Sequence, residues 1–139
     1  MQWDGSPFAG FTTGIPWVRM GPDYRTRNVA LQRDDPGSLF TFYRRLIWLR
    51  KETPALLHGT YRSLLRRPSR ALAYLRETPE QTVLVFLNFS SRPARLTTDE
   101  PLPANDWKVL LSTVGWREQE RLAGPVTLPP YAVCILEAV

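Results

Sequence analysis

Thr82-Val83-Leu84-Val85-Phe86-Leu87-Asn88-Phe89 is apolar at both parities, with Val83, Val85, Leu87 and Phe89 on one side and Leu84 and Phe86 on the other. A strand with one wet face alternates apolar and polar residues, whereas a strand covered on both faces need not. The run therefore predicts a central strand with a packed layer on each side. Outward from it, Tyr61 to Arg66 and Ala71 to Arg76 flank Arg67-Pro68-Ser69, which reads as a hairpin connection. Downstream, Ala94 to Thr97, Trp107 to Ser112, Gly124 to Leu128 and Tyr131 to Glu137 after Pro129-Pro130 are further short strands separated by turn residues. Many short strands with turns between them predict a mainly β fold over residues 58–139, an antiparallel Greek-key β-sandwich.

The pattern before residue 58 is different. Leu39, Phe42, Tyr43, Leu46 and Leu49 follow at steps of three, one, three and three, which is one apolar stripe of a helix. Asp35 is placed to act as N-cap with Pro36 at the first helical position, and Pro54 stops the helix near residue 53 by disfavouring helical angles at Thr53. Asp34 and Asp35 thus read as helix-start residues rather than catalytic ones. Residues 1–36 carry Gly5, Gly10, Gly14, Gly21, Pro7, Pro16, Pro22 and Pro36, and no run keeps a period of 2 or 3.6. They read as an irregular loop. A loop of that length is uncommon inside a compact domain, and one holding Trp3, Phe8, Phe11, Trp17 and Tyr24 is expected to pack on something further.

Composition narrows the function classes. The net charge is +5, and 16 of the 18 basic residues are Arg, spread from Arg19 to Arg121. Only Arg62, Arg66, Arg67 and Arg70 approach a cluster, which is less than the basic stripe with aromatic platforms that nucleic-acid binding needs. Cys134 and His58 are each the only residue of their type, so neither a disulfide within the chain nor a Cys/His metal cluster can form. Cys134 lies in the apolar run Ala132 to Leu136 and reads as a small buried hydrophobe. No leader segment and no membrane-spanning run is seen, so the location is expected to be cytoplasmic and without a membrane partner.

Met1-Gln2-Trp3-Asp4, Ala9-Gly10-Phe11-Thr12, Pro16-Trp17, Asn28-Val29, Gln32, Asp35-Pro36-Gly37-Ser38, Tyr43 to Ile47 and Leu49 to Glu52 occur in one order. That series resembles the alpha-glucosidase branch (oligo-1,6-glucosidase type) of the alpha-amylase superfamily, glycoside hydrolase family 13. Weaker resemblances continue through Gly59-Thr60-Tyr61, Asn88-Phe89-Ser90 and Leu128 to Tyr131. The resemblance implies that residues 1–53 are the end of a (β/α)8 catalytic barrel, loop plus last helix, and that residues 58–139 are its β-sandwich domain C. It implies a retaining enzyme that hydrolyses short α-linked glucosides, with no cofactor. Its aspartate nucleophile, glutamate acid/base and second aspartate precede the segment matched by Met1, so no catalytic residue is carried over. The chain is then expected to be an inactive C-terminal fragment, and its partners to be the remaining barrel and an oligosaccharide.

Barrel active sites lie at the C-terminal ends of the strands, which puts Gln2, Trp3, Asp4 and Phe11 at the periphery of a sugar cleft. Trp3 and Phe11 have a competing reading as buried anchors of the loop. Alternatives for the whole are the C-terminus of a trehalose synthase or sucrose isomerase, or a non-enzymatic carbohydrate-binding β-module using Trp107 and Trp116 on one exposed face. If a barrel is absent, Leu39, Phe42, Tyr43, Leu46 and Ile47 lose cover, and the isolated chain is expected to self-associate.

Overall fold

The structure, a computed structural model, describes residues 1–65, 70–98 and 101–139. The chain divides into two compact units, Met1–Trp48 and Leu49–Val139. The expected hairpin turn Arg67-Pro68-Ser69, and Arg66 with it, lies outside the described residues.

The second unit is built on a six-stranded antiparallel sheet in the order β1-β2-β3-β8-β5-β6, with a two-stranded ribbon β4-β7. The strands are β1 (Thr60–Ser63), β2 (Ala71–Glu77), β3 (Thr82–Asn88), β4 (Ala94–Arg95), β5 (Asp106–Ser112), β6 (Arg121–Ala123), β7 (Thr127–Leu128) and β8 (Val133–Ala138). The last strand enters between β3 and β5, so the connection from β3 to β5 crosses over a neighbour, as in a Greek key. Ala73 and Leu75 of β2, Leu84 and Phe86 of β3, Cys134 and Leu136 of β8, and Trp107 and Val109 of β5 supply one face of the core. Leu96, Val126 and Leu128, in and beside the ribbon, close that core from the opposite layer. Mainly β, antiparallel and two-layered, the architecture matches the expectation from Thr82 to Phe89.

Four consecutive residues of β3, Val83 to Phe86, are buried, which is the two-sided burial that the apolar run required. The short helix α3 (Pro54–His58) touches β2 and β3 and buries Ala55 and Leu56. Its N–H at Ala55 donates to Gln81 Oε1 at 3.0 Å, and its C-terminal end closes through Gly59 N to Ala55 O at 3.0 Å. Gly59 lies against the sheet so closely that a Cβ there would stand 2.4 Å from Ala55 O and 2.9 Å from Glu77 N.

Trp107 corrects one expectation. It is 0% exposed, at the centre of the core, and its Nε1 has no hydrogen-bond partner among the described residues. Burying an indole removes about 150–250 Å² from water, worth about 4–6 kcal/mol at ~25 cal/mol per Å². An unpaired buried N–H costs about 1–3 kcal/mol, so burial wins. Trp116 is half-buried against the same core. The pair therefore does not form the exposed flat face that carbohydrate stacking through Trp107 and Trp116 required.

Several strand boundaries also move: β1 ends at Ser63, β3 at Asn88 with Phe89 exposed, and β4 at Arg95, and β6 is a strand the sequence did not announce. Gly124 to Leu128 is not one strand: Gly124 takes φ +81 at the end of β6, and β7 begins only at Thr127. Tyr131 has φ +55 and precedes β8 rather than opening it.

In the first unit the long helix is α2 (Leu39–Glu52), which runs past Trp48 into the second unit. Its N-cap is Ser38 and not Asp35: Ser38 Oγ accepts from Thr41 N at 3.1 Å, while Asp35 Oδ1 accepts from Gly37 N at 2.8 Å in the preceding turn. Both are short polar side chains before an apolar run, and only Pro36 and Gly37 separate them. Pro36-Gly37 makes the turn, so capping passes to the serine beyond it. α2 ends at Glu52, with Thr53 extended at φ −108 before Pro54.

Residues 1–36 are less irregular than their composition suggests. α1 (Val29–Arg33) is capped by Asn28, whose Oδ1 accepts from Leu31 N at 3.0 Å. Pro7–Gly10 forms a single tight turn, with Phe8, Ala9 and Gly10 at φ +57, +57 and +63.

Candidate functional site

Gln2-Trp3-Asp4 is an extended segment whose backbone joins two turns. Trp3 N and Asp4 N both donate to Ala9 O, at 2.9 and 3.3 Å, and the carbonyls of Gln2 and Trp3 accept from Val29 N and Ala30 N at 2.9 and 2.8 Å. The first N–H groups of α1, which no helical carbonyl can satisfy, are thus satisfied by the segment. Asp4 in turn holds the Pro7–Gly10 turn. Its Oδ1 accepts from Ser6 N at 2.8 Å and from Ser6 Oγ, and these bonds, the side-chain one first, hold its carboxyl below the usual range.

A left-handed conformation costs about 1–2 kcal/mol for each residue with a Cβ, and Phe8 and Ala9 both adopt it. Ala9 is buried and accepts two hydrogen bonds, which is what retains it there. Gly10 is required twice over: its φ is +63, and a Cβ would stand 2.6 Å from Asp4 Oδ2.

Gln2 lies between two grooves. Its Nε2 donates to Asp23 Oδ1 at 3.3 Å and to Gly21 O at 3.4 Å. One groove, of about 480 Å³, runs along α2 and is lined chiefly by Val29, Leu39, Phe40, Tyr43, Ile47 and Trp48, with Arg27 and Arg44 as its charged members. The other, of about 520 Å³, is lined by Phe11, Pro16, Trp17, Val18 and Met20 beside Gln2. The structure therefore brings Gln2 and Phe11 together at one groove, while Trp3 and Asp4 line neither. Trp3 is 48% and Phe11 57% exposed, so neither is a buried anchor within this chain.

The other aspartates of this unit are engaged in ion pairs or backbone contacts. Asp23 meets Arg27 Nε at 3.7 Å, Asp34 meets Arg33 Nε at 3.8 Å, and Asp35 caps Gly37. Retaining glycoside hydrolysis needs two carboxyls about 5–5.5 Å apart, one of them with a raised pKa. The resolved shift at Asp4 runs the other way. Among the described residues no group of three or more His, Cys, Asp or Glu is placed to hold a metal ion. Cys134 is buried, and burial pushes its thiol up to about 12, so it is inert. No helix among the described residues is long and apolar enough to cross a membrane.

Sequence reasoning missed Asn28 and Gln32 as organisers. Asn28 is buried, capping α1 and donating to Tyr24 O at 2.8 Å. Gln32 accepts from Ser38 Oγ at 2.6 Å through its carbonyl and from Phe40 N at 3.2 Å through Oε1, which links α1 to the start of α2. An Asn directly before Val-Ala-Leu-Gln was the available cap signal.

The family described as "Alpha amylase, catalytic domain" matches residues 1–59, and "Maltogenic Amylase, C-terminal domain" matches residues 61–135. The chain belongs to the alpha-amylase superfamily. Similar members of the superfamily include the oligo-1,6-glucosidase of Halalkalibacterium halodurans, 41% identical over 107 residues, which are 73% of this chain and 19% of that protein. The oligo-1,6-glucosidase of Parageobacillus thermoglucosidasius is 34% identical over 88% of the chain and 22% of its own length. The alpha-glucosidase of Schizosaccharomyces pombe is 33% identical over 99% and 24%. Among solved structures, the trehalulose synthase of Pseudomonas mesoacidophila MX-45 superposes with a TM-score of 0.83 at 36% identity, covering 98% of this chain and 24% of that one. This alpha-amylase superfamily chain spans about a fifth to a quarter of the length of the relatives it matches.

Proposed function

We propose that the chain is the C-terminal part of a retaining alpha-glucosidase, acting in the cytoplasm on short α-linked glucosides of the isomaltose or maltose type. Its role there is structural: the Gln2–Asp4 segment and α2 complete the catalytic domain, and the β-sandwich buttresses it. The observation that carries this reading is the unbroken order in which a catalytic-domain segment leads into a C-terminal β-domain, at 30–41% identity to proteins named oligo-1,6-glucosidase. The chemistry agrees with a supporting role, since Asp4, Asp23, Asp34 and Asp35 are each engaged in backbone or ion-pair contacts rather than poised as an acid/nucleophile pair.

A second reading is favoured by the likeness to trehalulose synthase: the same covalent glucosyl intermediate passed to a sugar acceptor instead of water. A chimera tests the supporting role. The chain replaces the matching segment of the P. thermoglucosidasius oligo-1,6-glucosidase, and the products from isomaltose and from sucrose are followed. A supporting role in a glucosidase expects glucose from isomaltose at a rate within about tenfold of the parent, a transition-state difference of about 1.4 kcal/mol. A folded chimera that leaves isomaltose untouched, or that isomerises sucrose, contradicts it.

A further inference from the structure

Tyr131 holds φ +55 in the turn that leads into β8, and its side chain is 70% exposed. Pro130 precedes it, and a position of positive φ after such a proline suits Gly or Asn, because a larger side chain crowds the backbone there. Strain of this kind persists only where the surroundings hold it. Here Tyr131 N donates to Ser90 O at 3.2 Å, and Asn88 Nδ2 donates to Pro129 O at 2.8 Å. Packing does not offset the strain, since most of the side chain meets water. A second exposed ring lies close by. Leu87 pairs with Val133, so the β3–β8 register carried two residues further brings Phe89, 63% exposed, to Tyr131, and Asn88 N donates to Ala132 O at 2.9 Å between them. Phe89 N donates to Arg70 O at 2.8 Å, and Arg92 O accepts from Asn88 Nδ2 at 2.8 Å, which brings two exposed arginines to the same end of the sheet. Residues 81–98 and 121–136, which build this end, contain no Asp or Glu.

We propose that Phe89 and Tyr131 form a carbohydrate-binding platform on the β-domain, on which glucosyl units of an α-linked glucan stack; the choice of glucan rests on the function proposed above. The face of an aromatic ring carries negative partial charge and the C–H groups on the flat side of a glucosyl ring carry positive, so the two stack while the sugar's hydroxyls stay at the rim. Arg70 and Arg92 offer N–H donors to those hydroxyls, the few polar groups that fix a ligand's orientation. A tyrosine held by its backbone in one exposed position loses little freedom when a ligand arrives, which gives the strained turn a use that burial does not. Rings with arginines also suit a single-stranded nucleic acid, but that ligand needs a cationic groove along its backbone, and Arg70 and Arg92 fall short of one.

The test runs the chain by native electrophoresis through gels cast with soluble starch or with dextran, and reads the dissociation constant from the retardation. Wild-type chain is expected to be retarded, and Tyr131→Asn and Phe89→Ser are each expected to bind at least about tenfold more weakly, as loss of a central contact does. Asn tolerates positive φ, so Tyr131→Asn is expected to unfold at the same urea concentration as the parent or a higher one while losing the glucan. No retardation of the wild-type chain, or equal retardation of the two variants, overturns the proposal. A Tyr131→Asn variant less stable than the parent overturns it as well, since the ring is then held by packing. So does binding of a fluorescent single-stranded oligonucleotide in place of either glucan. The same substitutions are carried into the chimera, and glucan binding by the chain alone that vanishes in the folded chimera means that another segment covers the rings and also overturns the platform. Isomaltose turnover by the chimera is read separately: glucan binding without turnover contradicts the glucosidase reading alone, and turnover without glucan binding contradicts the platform alone.

Discussion

The side-chain amide of Asn88 donates to the carbonyl of Pro129 at 2.8 Å across 41 residues of sequence, joining the end of β3 to the turn that leads into β8. The same Nδ2 donates to Arg92 O at 2.8 Å, and Oδ1 accepts from Ser90 N and Ser90 Oγ at 3.0 and 2.8 Å. Asn88 is 2% exposed, so water cannot replace these partners. Asn88→Ala is expected to cost about 2–4 kcal/mol, from lost bonds and carbonyls left buried. Asn88→Asp is expected to do no better, because a carboxylate cannot donate to either carbonyl. Urea unfolding followed by tryptophan fluorescence measures both, and an Asn88→Asp variant as stable as the parent contradicts the assignment.

Gly59 is fixed by space and not by backbone angle, since its φ is an ordinary −60. A methyl group there meets the Ala55 carbonyl and the β2 backbone at Glu77 together, and neither is a side chain able to swing away. Gly59→Ala is expected to destabilise the second unit by about 1–3 kcal/mol, the usual range for overpacking. Gly115→Ala, with nothing within 4 Å of the added Cβ, is the control expected to be near neutral in the same urea titration.

Two carboxylates link stability to pH. Arg62 donates through Nε and Nη2 to Glu77 at 3.0 Å each and holds its carboxyl below the usual range. Burial alone raises Glu137, but its bonds to Gln81 and Lys108 together outweigh that and leave it lowered. For a carboxyl lowered in the folded state, the unfolded chain takes up protons first as pH falls. The contribution is complete above the unfolded value of about 4.3 and is lost as pH falls through the folded values. Urea midpoints are therefore expected to be level near neutrality and to drop below about pH 5. In Glu77→Gln/Glu137→Gln the drop is expected to be shallower, with the two curves converging in acid. Parallel curves contradict the linkage.

Cys134 provides a probe of opening in the second unit. A thiol buried to 0% exposure and raised to about 12 is neutral near pH 8 and out of reach of a disulfide reagent. Labelling by dithionitrobenzoate is expected only at the rate at which the sandwich opens, and at once in denaturant. Full labelling within seconds of mixing with native protein contradicts the core described.

Much of the sandwich was legible because its evidence is local and repeated. Val83 to Phe86 announce a strand with no wet face, and Pro54 ends α2 where its steric effect requires. Other features were not legible for a physical reason. Trp107 reads equally well as an exposed platform or a core residue, since its ring suits both and only the register of β5 against β8 turns it inward. The Pro7–Gly10 turn places Phe8 and Ala9 at positive φ, which no residue preference announces; the N–H groups of Trp3 and Asp4, donating to Ala9 O, hold it. The groove along α2 is also invisible in the sequence, since the periodicity of Leu39, Tyr43 and Ile47 identifies an apolar row without saying whether the chain itself covers it.

The chain is proposed to supply scaffold and not the reacting carboxylates, and turnover by the purified 139-residue protein is the decisive measurement. Incubated alone with p-nitrophenyl α-glucoside and with isomaltose, it is expected to release nitrophenol and glucose no faster than buffer. Turnover that survives repurification and follows the protein through two unrelated separations would mean that an acid and a nucleophile are assembled within these residues, and would contradict the account.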